Sequence, residues 1–208
     1  MKLPISSRSS FAAVLLFCCF SKGQCQQAVL ANLQANSKEF RLWTSSFENF
    51  DISDFARSGD KEFEDIPQQN FDSLNLFLKI YKPLVSFNGQ KNKFIDIYSY
   101  QLNLTKAGER YVANLNVGQA VYLCDYKTKD WKRIFYTEPG SINDVFWLDG
   151  NNFLLVLTIN NQDEDVPVLY FGNTEKRSFD TFSDKNARCH QKKDYRSEKL
   201  KRIKIQGL

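Results

Sequence analysis

One pattern occurs twice in this chain, and it restricts the fold more than any other feature. Leu84-Val85-Ser86-Phe87-Asn88-Gly89 is answered by Val145-Phe146-Trp147-Leu148-Asp149-Gly150. Each is an apolar strand end followed by a turn dipeptide that tolerates positive φ. Each leads into a second apolar run, Phe94–Tyr100 in the first copy and Phe153–Ile159 in the second. A further hairpin matches at an offset of 48: Val121–Asp125 aligns with Leu169–Asn173, and Trp131 with Phe179. Lys127–Asp130 and Thr174–Arg177 close those later hairpins with polar residues. The sequence predicts two four-stranded antiparallel units, over 84–138 and 143–183. The first carries an insertion between Gln101 and Gln119 that reads as a protruding hairpin.

The first 23 residues read as a secretory signal. Lys2 and Arg8 precede the ten-residue apolar stretch Phe11–Phe20, and Ser21-Lys22-Gly23 offers small residues for cleavage before Gln24. A membrane-spanning helix needs roughly 20 apolar residues, so no transmembrane segment is expected. Cys18, Cys19 and Cys25 raise the alternative of a lipid anchor. Leu15-Leu16-Phe17 and Lys22-Gly23-Gln24 fit it poorly, because an aliphatic residue and two small ones usually precede a lipidated cysteine. The expectation is an exported protein, periplasmic or extracellular.

Cleavage after Gly23 removes Lys2, Arg8 and Lys22 and leaves 25 basic residues against 24 acidic ones. The remaining charge is unevenly spread. Lys185–Lys204 holds nine basic residues and two acidic ones, Asp194 and Glu198. An exported chain rarely meets nucleic acid, so this segment reads as a solvated arm or as a tail lying on the protein's own acidic surface. Cys25, Cys124 and Cys189 survive cleavage. Export favours one disulfide, with Cys124 and Cys189 the expected pair and a buried free thiol at Cys124 the alternative.

Ahead of the repeats, residues 24–83 read as a helical segment. Val29, Leu30 and Leu33 recur at helical spacing, Ser45-Ser46-Phe47-Glu48 offers a capping box, and Phe71, Leu74, Phe77, Leu78 and Tyr81 form one helix face ended by Pro83. Ser58–Asn70 is polar and reads as the clearest loop. Residues 84–208 then form the β domain with its basic tail, in which Leu200, Ile203 and Ile205 alternate as an edge strand would.

The doubled turn resembles the Ser-Pro-Asp-Gly turn between the first two strands of WD40-like and TolB-type β-propeller blades of exported bacterial proteins. Ser86-Phe87-Asn88-Gly89 and Trp147-Leu148-Asp149-Gly150 stand at that point, although Pro is missing from both and the His and Trp-Asp marks of WD40 blades are absent. The resemblance covers Leu84 to Phe182 and implies a fold more than a function, since such modules bind proteins or hold enzyme sites built by other residues. Two blades cannot close a ring, which needs about four. The expected architecture is therefore mainly β with N-terminal helices: a partial propeller or twisted sheet assembly, its open face covered by those helices, a partner or a second copy. A lipocalin-like barrel is the alternative.

No catalytic, cofactor or metal site stands out. His190 lies in the basic tail, where it reads as a solvated residue. No Gly-rich run precedes a helix to cradle phosphate. Asn161–Asp165 alternates oxygen ligands, but Gly172 falls where a calcium-binding loop needs its last carboxylate, so a solvated hairpin loop is expected. Aromatic residues remain: Trp131, Trp147, Tyr98, Tyr100 and Tyr122 either pack across strands or line a carbohydrate or peptide surface. The leading expectation is an exported, non-enzymatic β module that binds a protein or glycan or scaffolds a complex. The alternatives are a carboxylate-dependent glycosidase or accessory hydrolase subunit, and an inhibitor or immunity-type protein that uses the inserted hairpin.

Overall fold

The computed structural model describes residues 22–67, 71–162 and 164–206. Most of the expected signal segment, with Cys18 and Cys19, lies outside the described residues, as does Asp163 of the acidic loop.

The N-terminal segment forms α1 (Lys22–Asn36), α2 (Lys38–Thr44), β1 (Phe47–Glu48), β2 (Phe55–Glu62), β3 (Ile66–Pro67) and α3 (Leu74–Tyr81). Next come β4 (Ser86–Phe87), β5 (Lys93–Asp96), β6 (Leu102–Ala107), β7 (Arg110–Leu115), β8 (Gln119–Asp125) and β9 (Asp130–Thr137). The chain continues through β10 (Ser141–Trp147), β11 (Asn152–Asn161), β12 (Glu164–Asn173), β13 (Ser178–Asp184), β14 (His190–Gln191), α4 (Glu198–Lys201) and β15 (Ile205–Gln206). The protein is mainly β, in several antiparallel sheets, and no closed barrel forms among the described residues. The lipocalin-like alternative falls away because each large sheet keeps two end strands instead of joining them.

The two large sheets have the strand orders β10-β11-β12-β13-β2 and β3-β9-β8-β5-β4. Each is a meander of four strands joined by a fifth from the N-terminal segment. The insertion leaves the meander as the hairpin β6–β7, which pairs in parallel with β15. Residues 48 apart adopt the same turn geometry. Asp125 Oδ1 accepts from the Lys127 amide as Asn173 Oδ1 accepts from Glu175, and both turns pass through a left-handed residue, Lys129 and Arg177, each with φ 56°.

The Asn-Gly and Asp-Gly turns correct the expectation. Neither Gly89 nor Gly150 is left-handed; Lys91 is, with φ 56°. The preceding side chain shapes each turn instead. Asn88 Oδ1 accepts from the amides of Asn92 and Lys93 at 3.1 and 3.2 Å, and Asp149 Oδ1 from those of Asn151 and Asn152, both at 2.7 Å. The two turns also touch. Asn88 Nδ2 donates to the Gly150 carbonyl at 3.2 Å, and Lys93 Nζ donates to Asn151 Oδ1 at 2.7 Å and to Thr174 Oγ1 at 2.9 Å.

β11 explains its unbroken apolar run. Phe153, Leu155 and Leu157 enter a cluster shared by both large sheets, while Leu154 and Val156 enter a second cluster with Leu30, Phe40 and Trp43 of the helices. A strand buried on both faces has no side to leave polar. The chain's own helices α1 and α2 therefore cover the far face of that sheet, and Phe77 of α3 packs against Phe94 and Trp131 of the other.

Three expectations for the N-terminal segment are corrected. No helix starts at Ser45: the helix is α2, capped by Ser37, whose hydroxyl accepts from the Phe40 amide at 3.2 Å, while Phe47–Glu48 pairs with β14. The polar Ser58–Asn70 stretch is not a loop throughout, because β2 runs to Glu62 and Ile66–Pro67 is β3. The segment adds strands as well as helices, since β2 zips onto β13 and β3 onto β9. The disulfide is not formed either: Cys124 and Cys189 are free and buried in different clusters, so the thiols do not meet.

The basic C-terminal segment lies on the protein. Lys185 pairs with Asp54, His190 with Glu48 and Lys199 with Asp144. Asp54 and Glu48 are acidic surface groups, whereas Asp144 is buried beneath the tail.

Candidate functional site

Three of the five singled-out aromatic residues converge. Tyr100, Tyr122 and Trp131 line one cleft of about 310 Å³ with Phe77 and Tyr81 of α3, and with Ser99, Asn103 and Asn116. Register places the sheet contributions: Tyr122 of β8 faces Arg133 of β9, and Cys124 faces Trp131. The helix brings Phe77 onto Trp131 edge to face, with ring centres 4.7 Å apart, and stacks it on Tyr81 at the same separation. Tyr100 also lines the cleft and packs against Tyr136. The root of the inserted hairpin supplies Asn103 and Asn116, and Asn116 donates to the Tyr100 carbonyl at 2.7 Å.

Two buried polar groups lie beside the cleft. The Trp131 indole N–H is buried without a hydrogen-bond acceptor, a costly state for a polar group. Behind Ser99 lies Asp96, fully buried, which accepts from the amides of Tyr98 at 2.9 Å and Ser99 at 3.1 Å and from the Ser99 hydroxyl. Burial holds the Asp96 carboxyl above the usual carboxylate range, against the pull of those hydrogen bonds. Burial also pushes the Tyr122 hydroxyl up to about 12, with Asp96 adding to the effect. The residues lining the cleft include no Lys, Arg, Asp or Glu.

Tyr98 and Trp147 belong elsewhere. Tyr98 is buried, and the Trp147 indole donates to the Ser86 carbonyl at 2.8 Å. That carbonyl borders a second polar locus, where Asp144 of β10 accepts from Lys199 Nζ and the Tyr195 hydroxyl, each at 3.1 Å, and Lys199 also donates to the Ser86 hydroxyl. Ser86 and Lys199 thus sit as a nucleophile and base would, but the Lys199 charge is matched by Asp144. The locus joins the C-terminal segment to the first strands of both meanders. His190 lies 3.3 Å from Glu48 and belongs to neither locus. Among the described residues, no group of three or more His, Cys, Asp or Glu side chains is placed to hold a metal ion.

Sequence reasoning missed the contributions of α3 and the polar rim. Phe77 and Tyr81 read as a core stripe, which they also are. The available signal was Asp96, a carboxylate inside the apolar run Phe94–Tyr100, where a buried charge needs a reason.

No family model, curated protein or solved structure matches this chain.

Proposed function

We propose that this chain is an exported, non-enzymatic binding module, built on two blade-like repeats, that holds a glycan in the aromatic cleft. One observation carries the reading: the partly exposed rings of Phe77 and Tyr100, backed by the buried rings of Tyr81, Tyr122 and Trp131, line a single opening rimmed by amides and a hydroxyl. Sugars present apolar C–H faces and a belt of hydroxyls, so aromatic walls with fixed polar groups suit them. The signal-like N-terminus supports export, and the paired turn geometry at an offset of 48 supports the repeat. Calorimetric titration of the mature protein against a panel of oligosaccharides tests it. Binding of at least one class is expected, with Tyr100→Ala weakening it at least tenfold while the melting temperature holds. A panel without a binder overturns the reading.

An inhibitor-type role has one observation in its favour: Leu115 and Val117, at the base of the β6–β7 hairpin, are 63% and 73% exposed. Their replacement by Ser should abolish capture of a protein partner if that reading holds, and leave glycan binding unchanged if it does not.

A further inference from the structure

We infer that a second hollow beside α3 binds a small organic phosphate ester with a flat apolar body, independently of the glycan reading above. Phe77 and Tyr81 of α3 line the aromatic cleft, whereas Leu78, Lys79 and, just past the helix end, Lys82 line a separate hollow of about 600 Å³. The turn between β4 and β5 adds Lys91, and Phe87 and Tyr126 supply aromatic rings. All three lysines are exposed, and no Asp or Glu lines the hollow. Among the described residues, none of the three side chains forms an ion pair or a hydrogen bond. A helix C-terminus favours cations, which accounts for Lys79 and Lys82. It does not account for Lys91, whose backbone is left-handed at φ 56° and donates its amide to the Asn88 carbonyl at 3.0 Å. Three like charges around one hollow repel each other, and a bound anion relieves that repulsion.

The chemistry of the donors selects the anion. A guanidinium matches a planar carboxylate with two parallel hydrogen bonds, whereas ammonium groups act as point charges and suit the tetrahedral oxygens of a phosphate. The hollow has lysines and no arginine. Its remaining lining selects the body of the ligand. Leu78, Phe87 and Tyr126 are only half-buried, so apolar surface stays open between the charges. Phe94 braces both rings, with centres 5.4 Å from Phe87 and 6.1 Å from Tyr126. Inorganic phosphate would leave that surface uncovered, and a neutral aromatic molecule would leave the lysines unpaired. A phosphate ester with a flat apolar group uses both.

The test is calorimetric titration of the intact mature protein at low salt with naphthyl phosphate, inorganic phosphate, naphthoate and naphthol. Naphthyl phosphate should bind about tenfold more tightly than any of the other three. That affinity should fall as salt approaches about 1 M, where screening acts within about 3 Å. Replacing Lys79, Lys82 and Lys91 together by Gln should abolish binding with the melting temperature unchanged. Removing the same charge at the exposed Lys106, Lys192 and Lys193 instead should leave binding intact. Failure of all four probes, unchanged binding in the first variant, or an equal loss in the second overturns the site. Inorganic phosphate or naphthol matching the ester overturns the joint recognition of charge and apolar body, and tighter binding of naphthoate overturns the choice of phosphate. Binding to vesicles of phosphatidic acid without binding of the free ester overturns the soluble ligand.

Discussion

Gly172 faces Phe153 across β11 and β12, and a Cβ added there would fall 2.2–2.6 Å from three carbons of the Phe153 ring. That ring is wholly buried among Phe63, Trp147 and Phe179, so it cannot swing aside. Gly172→Ala should therefore cost about 1–3 kcal/mol, the usual scale of overpacking, measured by urea denaturation. The thiols make a second prediction at this scale. Burial pushes both Cys124 and Cys189 from 9.0 up to about 12. Cys124 and Cys189 should resist thiol reagents in the native protein and react in the unfolded one. The unfolded chain releases these protons at lower pH than the folded one, so this contribution is intact below pH 9 and is lost as pH rises toward about 12. Urea midpoints taken from neutral pH upward should fall across that window, less steeply in Cys124→Ala. Asp96 stands out as an anomaly in the sequence, but its three hydrogen bonds come from two backbone amides and the Ser99 hydroxyl, which only the folded turn positions.

At the scale of elements, β6 is the outer strand of its sheet, and a bare strand edge invites mispairing. Tyr81 of α3 covers part of it. Its hydroxyl donates to the Leu102 carbonyl at 2.9 Å and accepts from the Leu104 amide at 2.8 Å, as a neighbouring strand would. Tyr81→Phe leaves both groups unpaired and should cost about 1–3 kcal/mol, with hydrogen exchange at the Leu104 amide accelerating before the rest of β6. The strands of both meanders were readable from their alternation and their matching offset. β2 was not, because most of it is exposed and Ser58, Asp60, Lys61 and Glu62 carry the composition of a loop. What makes it a strand is the ladder to β13, a long-range fact. The capping box at Ser45 misled for a related reason: the local pattern was present, but Phe47–Glu48 gains more from pairing with β14 and burying Phe47.

For the molecule as a whole, the seam between the meanders is closed by the C-terminal segment. Asp144 is 3% exposed at its side chain and relies on Lys199 and Tyr195. Lys199→Met should cost about 2–4 kcal/mol by stranding that carboxylate. Lys199→Met with Asp144→Leu should recover much of the loss, and chemical denaturation of the three variants measures the coupling. Nothing in the spacing of Asp144 and Lys199 announced this pair, since only the packing of α4 beside β10 brings them together.

The outer strand β2 also sets an order of events for a chain that emerges from its N-terminus. Phe55 pairs with Asp184 and Glu62 with Ser178, so β2 is made early but has no partner until nearly the entire second meander exists. Its loop-like, charged sequence suits that wait, because it stays hydrated and resists joining the wrong edge. In pulse-labelled refolding, the β2 amides should gain protection after those of β11 and β12. The first long strand synthesised waits through most of the chain for its place.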